Sequence, residues 1–206
     1  EEAGKLVKVG DYASFDVPYR DLGGELRAVT GKAFDDRAGC AVLIELLKGS
    51  YPFDLYAVFT TQEEVGLRGA RVAAYSVAPD AAFVLEGTIC DDMPKQKDVS
   101  PTTVVGQGPA ITLMDRSVIS DQRLVDLLVR TAEANKIPYQ FKQPGIGATD
   151  AGAIHLSREG VPSVVVAVPS RYIHSPVCLL SLNDLENTVQ LMQRSLAGLD
   201  KVDLSR

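Results

Sequence analysis

Two adjacent carboxylates, Glu63 and Glu64, directly follow an apolar run at residues 55–59. The run predicts a buried strand over residues 54–61, which would place both side chains at its carboxyl end. Two anions held next to each other at a buried strand end repel, and burial adds to the cost of ionising them. A divalent metal ion relieves that repulsion when one carboxylate binds it and the other acts as a base. The pair is therefore the first candidate for a catalytic metal site.

More polar residues stand at or beside the ends of other predicted strands. Ligand sites of open α/β sheets lie outside the carboxyl ends of the strands. Carboxylates combined with an imidazole suit a hard to borderline divalent ion. Each residue alone also has an ordinary explanation, such as a helix cap, a loop carboxylate or a packed imidazole. The further candidates are Asp35 and Asp36 before a helix, Glu86 after a strand, Thr149 and Asp150 at a helix start, and His174 in a loop.

The remaining reactive side chains do not indicate a second site. His155 lies between Ile154 and Leu156 within a predicted helix, which favours a packed or surface imidazole. The three cysteines are an odd number without CxxC spacing, which predicts a reduced, cytoplasmic protein. A cysteine nucleophile would need a histidine partner, and the chain has two histidines in all.

From Ala33 onward the chain alternates between helical and strand patterns. The run at residues 163–168 is β-branched and apolar throughout, as expected for a strand covered on both faces. The class predicted is α/β: a three-layer α/β/α sandwich with a mostly parallel central sheet. Helices are predicted at 36–48, 67–77, 121–135, 151–158 and 183–199, and strands at 54–61, 81–85, 110–114, 139–141 and 163–168, with a long loop at 87–109.

The first 30 residues differ from the rest. Alternating patterns at residues 5–9, 12–17 and 25–29, separated by glycine turns, predict short strands. Three short strands are marginal as an independent unit. Residues 1–30 are therefore predicted to be the end of a larger unit or the remnant of a small β domain, and residues 31–206 the catalytic domain.

Composition limits the partners. The 206 residues carry a net charge of −6, which argues against nucleic acid as the main partner. No apolar run approaches the roughly 20 residues of a membrane span, so no membrane partner is expected.

Four stretches together resemble the M42 family of metallo-aminopeptidases, which includes glutamyl and tetrahedral aminopeptidases. They are Gly31-Lys32-Ala33-Phe34-Asp35-Asp36-Arg37-Ala38-Gly39, Thr61-Gln62-Glu63-Glu64-Val65-Gly66-Leu67-Arg68-Gly69-Ala70, Gly147-Ala148-Thr149-Asp150-Ala151-Gly152-Ala153-Ile154-His155 and Arg171-Tyr172-Ile173-His174-Ser175-Pro176.

The resemblance implies a role for each aligned residue. Asp35 would bridge two metal ions, and Asp36 would support it through a cis peptide bond. Glu63 would be the general base, and Glu64 a terminal ligand of one metal.

The other implied roles concern the second metal and its surroundings. His174 would be a terminal ligand of the second metal. Glu86 would be the remaining carboxylate ligand, although the family usually has Asp there. Thr149 and Asp150 would support the ligands or contact the substrate.

The resemblance also implies an activity. The intact enzyme would remove N-terminal residues from peptides through a metal-bridged water, with two zinc or cobalt ions and homo-oligomeric assembly. The family's N-terminal His-x-Asp motif, whose His is a ligand, has no counterpart here. The chain therefore resembles a C-terminal portion that would hold one metal or none and be inactive alone. The alternatives are a related carboxypeptidase or deacylase, and a non-catalytic peptide-binding or assembly module.

Overall fold

A computed structural model of the chain describes residues 2–94 and 100–205, and in it seven strands form one sheet. The strand at residues 163–171 is central: one neighbour pairs along one edge, and two others share the opposite edge. In chain order the strands are β1 (Arg20–Gly23), β2 (Ala28–Gly31), β3 (Ala82–Ile89), β4 (Ala110–Thr112), β5 (Gln140–Phe141), β6 (Ser163–Arg171) and β7 (Cys178–Ser181).

Helices cover both faces of the sheet, which confirms the predicted α/β sandwich. The second, fourth and sixth helices share the largest buried apolar cluster on one face, and the third and fifth pack together on the other. In the described residues the helices are α1 (Ala3–Leu6), α2 (Phe34–Leu46), α3 (Arg68–Val77), α4 (Gln122–Asn135), α5 (Ala151–Ile154) and α6 (Leu182–Leu196), followed by a 3₁₀ turn at Leu199–Lys201. None of these helices is both long and apolar enough to cross a bilayer.

The sheet is mixed, so the prediction of a mostly parallel sheet is wrong. The pairs β3–β6 and β4–β5 are parallel, whereas β1–β2, β2–β7, β4–β6 and β6–β7 are antiparallel. The apolar run that suggested parallel pairing is fully buried, with Val164, Val166 and Val168 at 0% exposed. Burial on both faces requires such a run whatever the direction of the neighbouring strands.

The helix ends follow from local chemistry. Asp121 caps α4 by accepting a hydrogen bond from the Arg123 N–H at 2.9 Å, as its position in the sequence predicts. Ser181 caps α6 and also donates its hydroxyl to the Leu26 carbonyl at 2.6 Å. One side chain thus fixes both the start of α6 and the turn that leads into β2.

The N-terminal segment departs from the prediction. Within residues 2–19 the structure has the short helix α1 and no strand at 5–9 or 12–17. Most of these side chains face solvent, so a strand there would have no sheet to join. β1 and β2 join the central sheet through β7, and the predicted domain boundary falls inside β2. The division into two domains stays a prediction.

The predicted strand at 54–61 is also absent from the sheet. Within the described residues no backbone hydrogen bond involves residues 53–59. Burial still alternates from Tyr51 to Val58, the pattern of a strand with one covered face. The apolar run therefore lies next to the core, but no described strand pairs with it. Residues 95–99 of the predicted 87–109 loop lie outside the described part.

Candidate functional site

The turn that carries Glu63 and Glu64 is held by backbone hydrogen bonds to the start of α3. The Glu63 carbonyl accepts from Gly66 N and Leu67 N, each at 3.0 Å, and the Thr61 carbonyl accepts from Gly69 N at 2.9 Å. Gly69 has to be a glycine, because a Cβ there would lie 2.5 Å from the Thr61 backbone N and O. The helix start thus positions both carboxylates.

Asp35 and Asp36 stand at the beginning of α2, joined by a cis peptide bond. The Asp36 Oδ1 accepts a hydrogen bond from the Gly39 N–H at 2.8 Å, which ties this carboxylate to the first helical turn. β3 passes close beside Asp35: a Cβ at Gly87 would lie 3.1 Å from the Asp35 Cα and Cβ. The glycine after Glu86 therefore permits the close approach of the two elements.

The first potential ligand group consists of Asp35, Glu64 and His174. The His174 Nε2 lies 3.2 Å from the Asp35 Oδ2 and 3.3 Å from the Glu64 Oε2. The side chains of His174 and Glu64 are 61% and 60% exposed, whereas that of Asp35 is 15% exposed. These residues border a cleft of about 360 Å³. The group is open to solvent, as a catalytic metal site must be to admit water and substrate.

A second group consists of Asp35, Asp36 and Glu86. One oxygen from each lies within 4.8 Å of the others, the same limit that the first group meets. Glu86 is only 7% exposed, so this group is the more enclosed of the two. Asp35 belongs to both groups. Its carboxylate can therefore serve two ions, and the carboxylate and imidazole donors fit divalent metals such as zinc.

Several carboxylates of the site have raised pKa values because they are buried together. Burial, with the neighbouring Glu64 charge, raises the pKa of Glu63 to about 7. Burial raises the pKa of Asp36 to about 8 and that of Glu86 well above its ordinary value. Burial and Glu64 raise the pKa of Asp35. A divalent cation would supply the positive charge that this cluster needs to ionise fully at neutral pH.

Asp150 joins the cluster, whereas Thr149 does not. Asp150 is 5% exposed, and its Oδ2 accepts a hydrogen bond from the Thr60 hydroxyl, with 2.5 Å between the two oxygens. Its Oδ1 is buried and has no hydrogen-bond partner among the described residues. The Thr149 hydroxyl instead donates to the Asp115 Oδ2 at 3.4 Å. Thr149 supports Asp115 rather than the potential ligands.

A buried cation near the cluster escaped the sequence reasoning. Lys142 is 6% exposed and follows β5, where its backbone N–H donates to the Ile111 carbonyl at 3.0 Å. Burial lowers the pKa of its ammonium, while the charges of Asp115, Glu86 and Asp35 oppose that shift. Its position after the predicted strand at 139–141 is visible in the sequence, but a search for carboxylate and imidazole ligands passes over a lysine.

A bidentate ion pair holds the loop that carries His174. The Arg171 Nε and Nη2 donate to the two Asp92 carboxylate oxygens at 2.6 and 2.9 Å. Asp92 lies after β3, so the pair joins the ends of β3 and β6 beside the site. His155 is elsewhere: its Nδ1 lies 2.8 Å from the Ala151 carbonyl at the end of α5, in agreement with the packed or surface role predicted.

The sequence matches the profile of the M42 glutamyl aminopeptidase family over residues 1–191. A relative from Acetivibrio thermocellus is 42% identical over 198 residues, which are 95% of this chain and 58% of that protein.

Solved structures of aminopeptidases have a fold similar to that of this chain. The aminopeptidase APDkam598 from the archaeon Desulfurococcus kamchatkensis has a TM-score of 0.90 at 39% identity, covering 95% of this chain and 56% of the other. The TET1 peptidase of Pyrococcus horikoshii, whose structures form a tetrahedron or a large octahedral shell, has a TM-score of 0.77 at 36% identity, covering 95% of this chain and 57% of the other. The chain thus spans a little over half the length of these relatives.

Proposed function

Because the chain belongs to the M42 glutamyl aminopeptidase family, we propose that it forms the metal-binding part of an aminopeptidase that removes N-terminal residues from peptides. The observation that carries the proposal is the position of Asp35, which belongs to two potential ligand groups at once. Glu63 lies beside them, close enough for the charges of Asp35 and Glu64 to act on its pKa. A shared carboxylate with a neighbouring base is the arrangement that a two-metal hydrolase requires.

The proposed cofactors are two divalent ions, zinc or cobalt. Asp35 would contact both, with Asp36 supporting it. Glu64 and His174, which meet in the open group, would hold one ion together rather than one each as the resemblance implies, and Glu86 would hold the other. Bound there, the ions would lower the pKa of a water molecule and polarise the scissile carbonyl. The described residues bring one imidazole to this cluster. The isolated chain is therefore expected to bind less than two equivalents of metal and to be inactive alone.

Glu63 is the proposed general base. Its carboxylate would accept the proton of the attacking water and pass it to the leaving amine. The glutamate is partly buried, and burial and the Glu64 charge favour its protonated form. A base whose pKa lies near neutral pH can accept the proton of the water and later donate it to the leaving amine.

The acidic cluster also favours a free amine in the substrate. A substrate α-ammonium would be attracted to the unneutralised carboxylates, whereas an acylated amine would not. Comparing free peptides with their N-acetylated forms, and identifying the products, distinguishes an aminopeptidase from the alternatives, a carboxypeptidase or a deacylase. Cleavage of the acetylated forms alone would contradict the proposal.

Glu63→Gln in the intact enzyme tests the assignment of the base. We expect turnover to fall by about 10²–10⁴-fold because proton transfer is lost, while metal content measured by mass spectrometry stays unchanged. Glu25→Gln is the matched control, since Glu25 is exposed in the turn between β1 and β2. Full activity in Glu63→Gln would overturn the role of Glu63.

Assembly and location follow by the same reasoning. We propose that the intact protein forms homo-oligomers, as the TET1 peptidase does. Cys40, Cys90 and Cys178 are all unpaired, which supports the proposed cytoplasmic location.

A further inference from the structure

A buried lysine beside the candidate metal cluster has no part in the function proposed above. Lys142 is 6% exposed, and its ammonium forms neither a hydrogen bond nor an ion pair with any described residue. Its Nζ is not among the described side-chain atoms that are both fully enclosed and unpartnered, so it keeps some contact with solvent. A buried ammonium without a direct partner is costly. The lysine therefore has an unfilled place for an anionic group that arrives from solvent.

The sheet explains why this lysine faces the cluster. One row of residues paired in register across four strands consists of Glu86, Ala167, Ala110 and Gln140. Lys142 lies two residues beyond Gln140 and therefore on the same face of the sheet as Glu86. The two alanines between them are buried and carry short side chains. The lysine can thus extend along this face, and the charge of Glu86 acts on its pKa.

A glycine-rich turn at residues 145–148 lies against the ammonium. A Cβ added at Gly147 would lie 3.4 Å from the Lys142 Nζ, so the glycine leaves the space beside the ammonium open. The backbone N–H groups of Ile146, Gly147 and Ala148 donate no hydrogen bond to any residue that the structure describes. Three unpaired amide donors therefore belong to the same turn that borders the unpaired ammonium.

Backbone hydrogen bonds fix this turn. The Gly145 N–H donates to the Met114 carbonyl at 3.1 Å, and the Gly147 carbonyl accepts from the Arg116 N–H at 2.9 Å. Lys142 is held in the same way, through its own N–H at the end of β5. Donors that are fixed before a ligand arrives bind it at a lower cost in entropy.

The donors and the surrounding charges select a carboxylate. An ammonium and an amide N–H can each donate to one of its two oxygens, and the bond from the ammonium is charge-assisted. The charges of Asp115, Glu86 and Asp35 act on the lysine, and they would repel an anion with two or more charges, such as phosphate. A singly charged ligand is repelled least.

We propose that Lys142 and the amide groups of residues 146–148 form a carboxylate-binding site beside the candidate metal cluster. The source of the carboxylate rests on the proposed function. An aminopeptidase handles two carboxylates close to its metal ions: the acidic side chain of an N-terminal glutamate, and the α-carboxylate of the amino acid that it releases. Both have the chemistry that this site recognises, and the experiments below distinguish them.

Titration of this chain with glutarate, followed by NMR with chelator present, tests the site without catalysis. Glutarate carries carboxylates and no amine, and glutaramide is its neutral counterpart of the same length. We expect saturable shifts of the Lys142 Nζ signal and of the amide signals of residues 146–148 with glutarate, and none with glutaramide. Lys142→Met should weaken glutarate binding at least about tenfold, because the charge-assisted hydrogen bond is lost. Lys48→Met, at an exposed lysine, should bind as the wild type does.

Two glycines of the turn provide a matched pair that keeps the lysine. Gly145 and Gly147 have φ values of 76° and 74°, so alanine is similarly strained at both positions. A Cβ at Gly147 takes the space beside the Lys142 Nζ, whereas a Cβ at Gly145 meets no described atom within 4 Å. Gly147→Ala should therefore weaken glutarate binding, and Gly145→Ala should leave it unchanged. Amide signals outside the turn show whether each variant is folded.

The intact enzyme identifies the source of the carboxylate. Peptides that begin with glutamate or with glutamine differ in charge and hardly in shape. If the side chain is the ligand, Lys142→Met should raise KM for the glutamate peptide alone. If the product is the ligand, Lys142→Met should affect both peptides equally and weaken inhibition by free glutamine. No change in either measurement would overturn the assignment to substrate or product.

Other results would overturn the site itself. Equal shifts with glutarate and glutaramide would show that charge is not recognised. Wild-type affinity for glutarate in Lys142→Met would remove the lysine from the site, and equal losses in the two glycine variants would remove the turn. Failure of the intact enzyme to cleave peptides would contradict the proposed function alone, since the glutarate titration requires neither metal nor turnover.

Discussion

The two edges of β6 differ in how completely they are built. On one edge β4 and β7 pair with it, and helices α4 and α6 pack over a core in which Leu128 and Leu191 are 0% exposed. On the other edge β3 is the last paired strand in the described residues, and Phe59 beyond it is 49% exposed. Glu86 of β3 lies on the open side, and Glu63 and Glu64 follow the unpaired segment that borders it, whereas His174 lies between β6 and β7. The closed half thus supplies the stability, while the open half holds the reactive carboxylates.

Truncating one large side chain in each half tests that difference. Leu128→Ala should cost about 2–5 kcal/mol in the free energy of unfolding, because it leaves a cavity in the core. Phe59→Ala in the same chain should cost roughly 0.5 kcal/mol or less, since half of the ring already faces solvent. Urea denaturation measures both. Equal losses would show that the open half is as tightly packed as the closed one.

The carboxylates make a pH-dependent contribution that belongs to the open half. The pKa values of Glu63 and Asp36 are raised to about 7 and about 8, so between pH 5 and pH 8 the folded state holds protons that the unfolded state has lost. Stability is therefore full below about pH 4 for this contribution and is lost as the pH rises through these values. With chelator present, we expect the free energy of unfolding at pH 8 to be several kcal/mol lower than at pH 5, because each pH unit between a group's unfolded and folded pKa contributes about 1.4 kcal/mol; Tm should fall by roughly 10 °C. Saturating zinc should abolish the difference in stability between pH 5 and pH 8. Equal Tm values at the two pH values without metal would contradict the clustering of the carboxylates.

Lys142→Met tests the same pH dependence of stability through the one lysine described near the cluster. The Lys142 ammonium acts against the raised pKa of Asp35, so its removal should steepen the loss of stability between pH 5 and pH 8 by a few tenths of a kcal/mol. Lys48→Met is the control, because Lys48 is exposed and pairs with Glu45. A flatter profile in Lys142→Met would mean that the lysine does not act on the cluster.

The same contrast explains which predictions from the sequence succeed. Helices α2, α3, α4 and α6 lie within a few residues of their predicted positions, because periodicity and caps are local signals. β6 is also where its apolar run predicts. Strands at 54–61, 5–9 and 12–17 fail because a strand needs a neighbour, and no property of its own residues reveals whether one is present.

The site was predictable where residues follow strand ends. Glu64 and Glu86 follow predicted strands, Asp35 precedes a helix and His174 lies in a loop beside a strand end, and the structure brings the four together. Their roles as ligands stay a prediction. Lys142 was missed because ligand chemistry gives no reason to expect a cation beside a metal site. The structure explains its burial, because the negative charges of Asp115, Glu86 and Asp35 stabilise the ammonium.

The account depends most on Asp35, which both ligand groups share. The most direct measurement is a zinc titration of this chain followed by native mass spectrometry, comparing wild type, Asp35→Asn and His174→Ala. Because Asp35 serves both groups, we predict that Asp35→Asn loses all zinc binding at the cluster, whereas His174→Ala weakens one group and leaves the enclosed carboxylates able to bind. Wild-type zinc binding in Asp35→Asn would contradict the account.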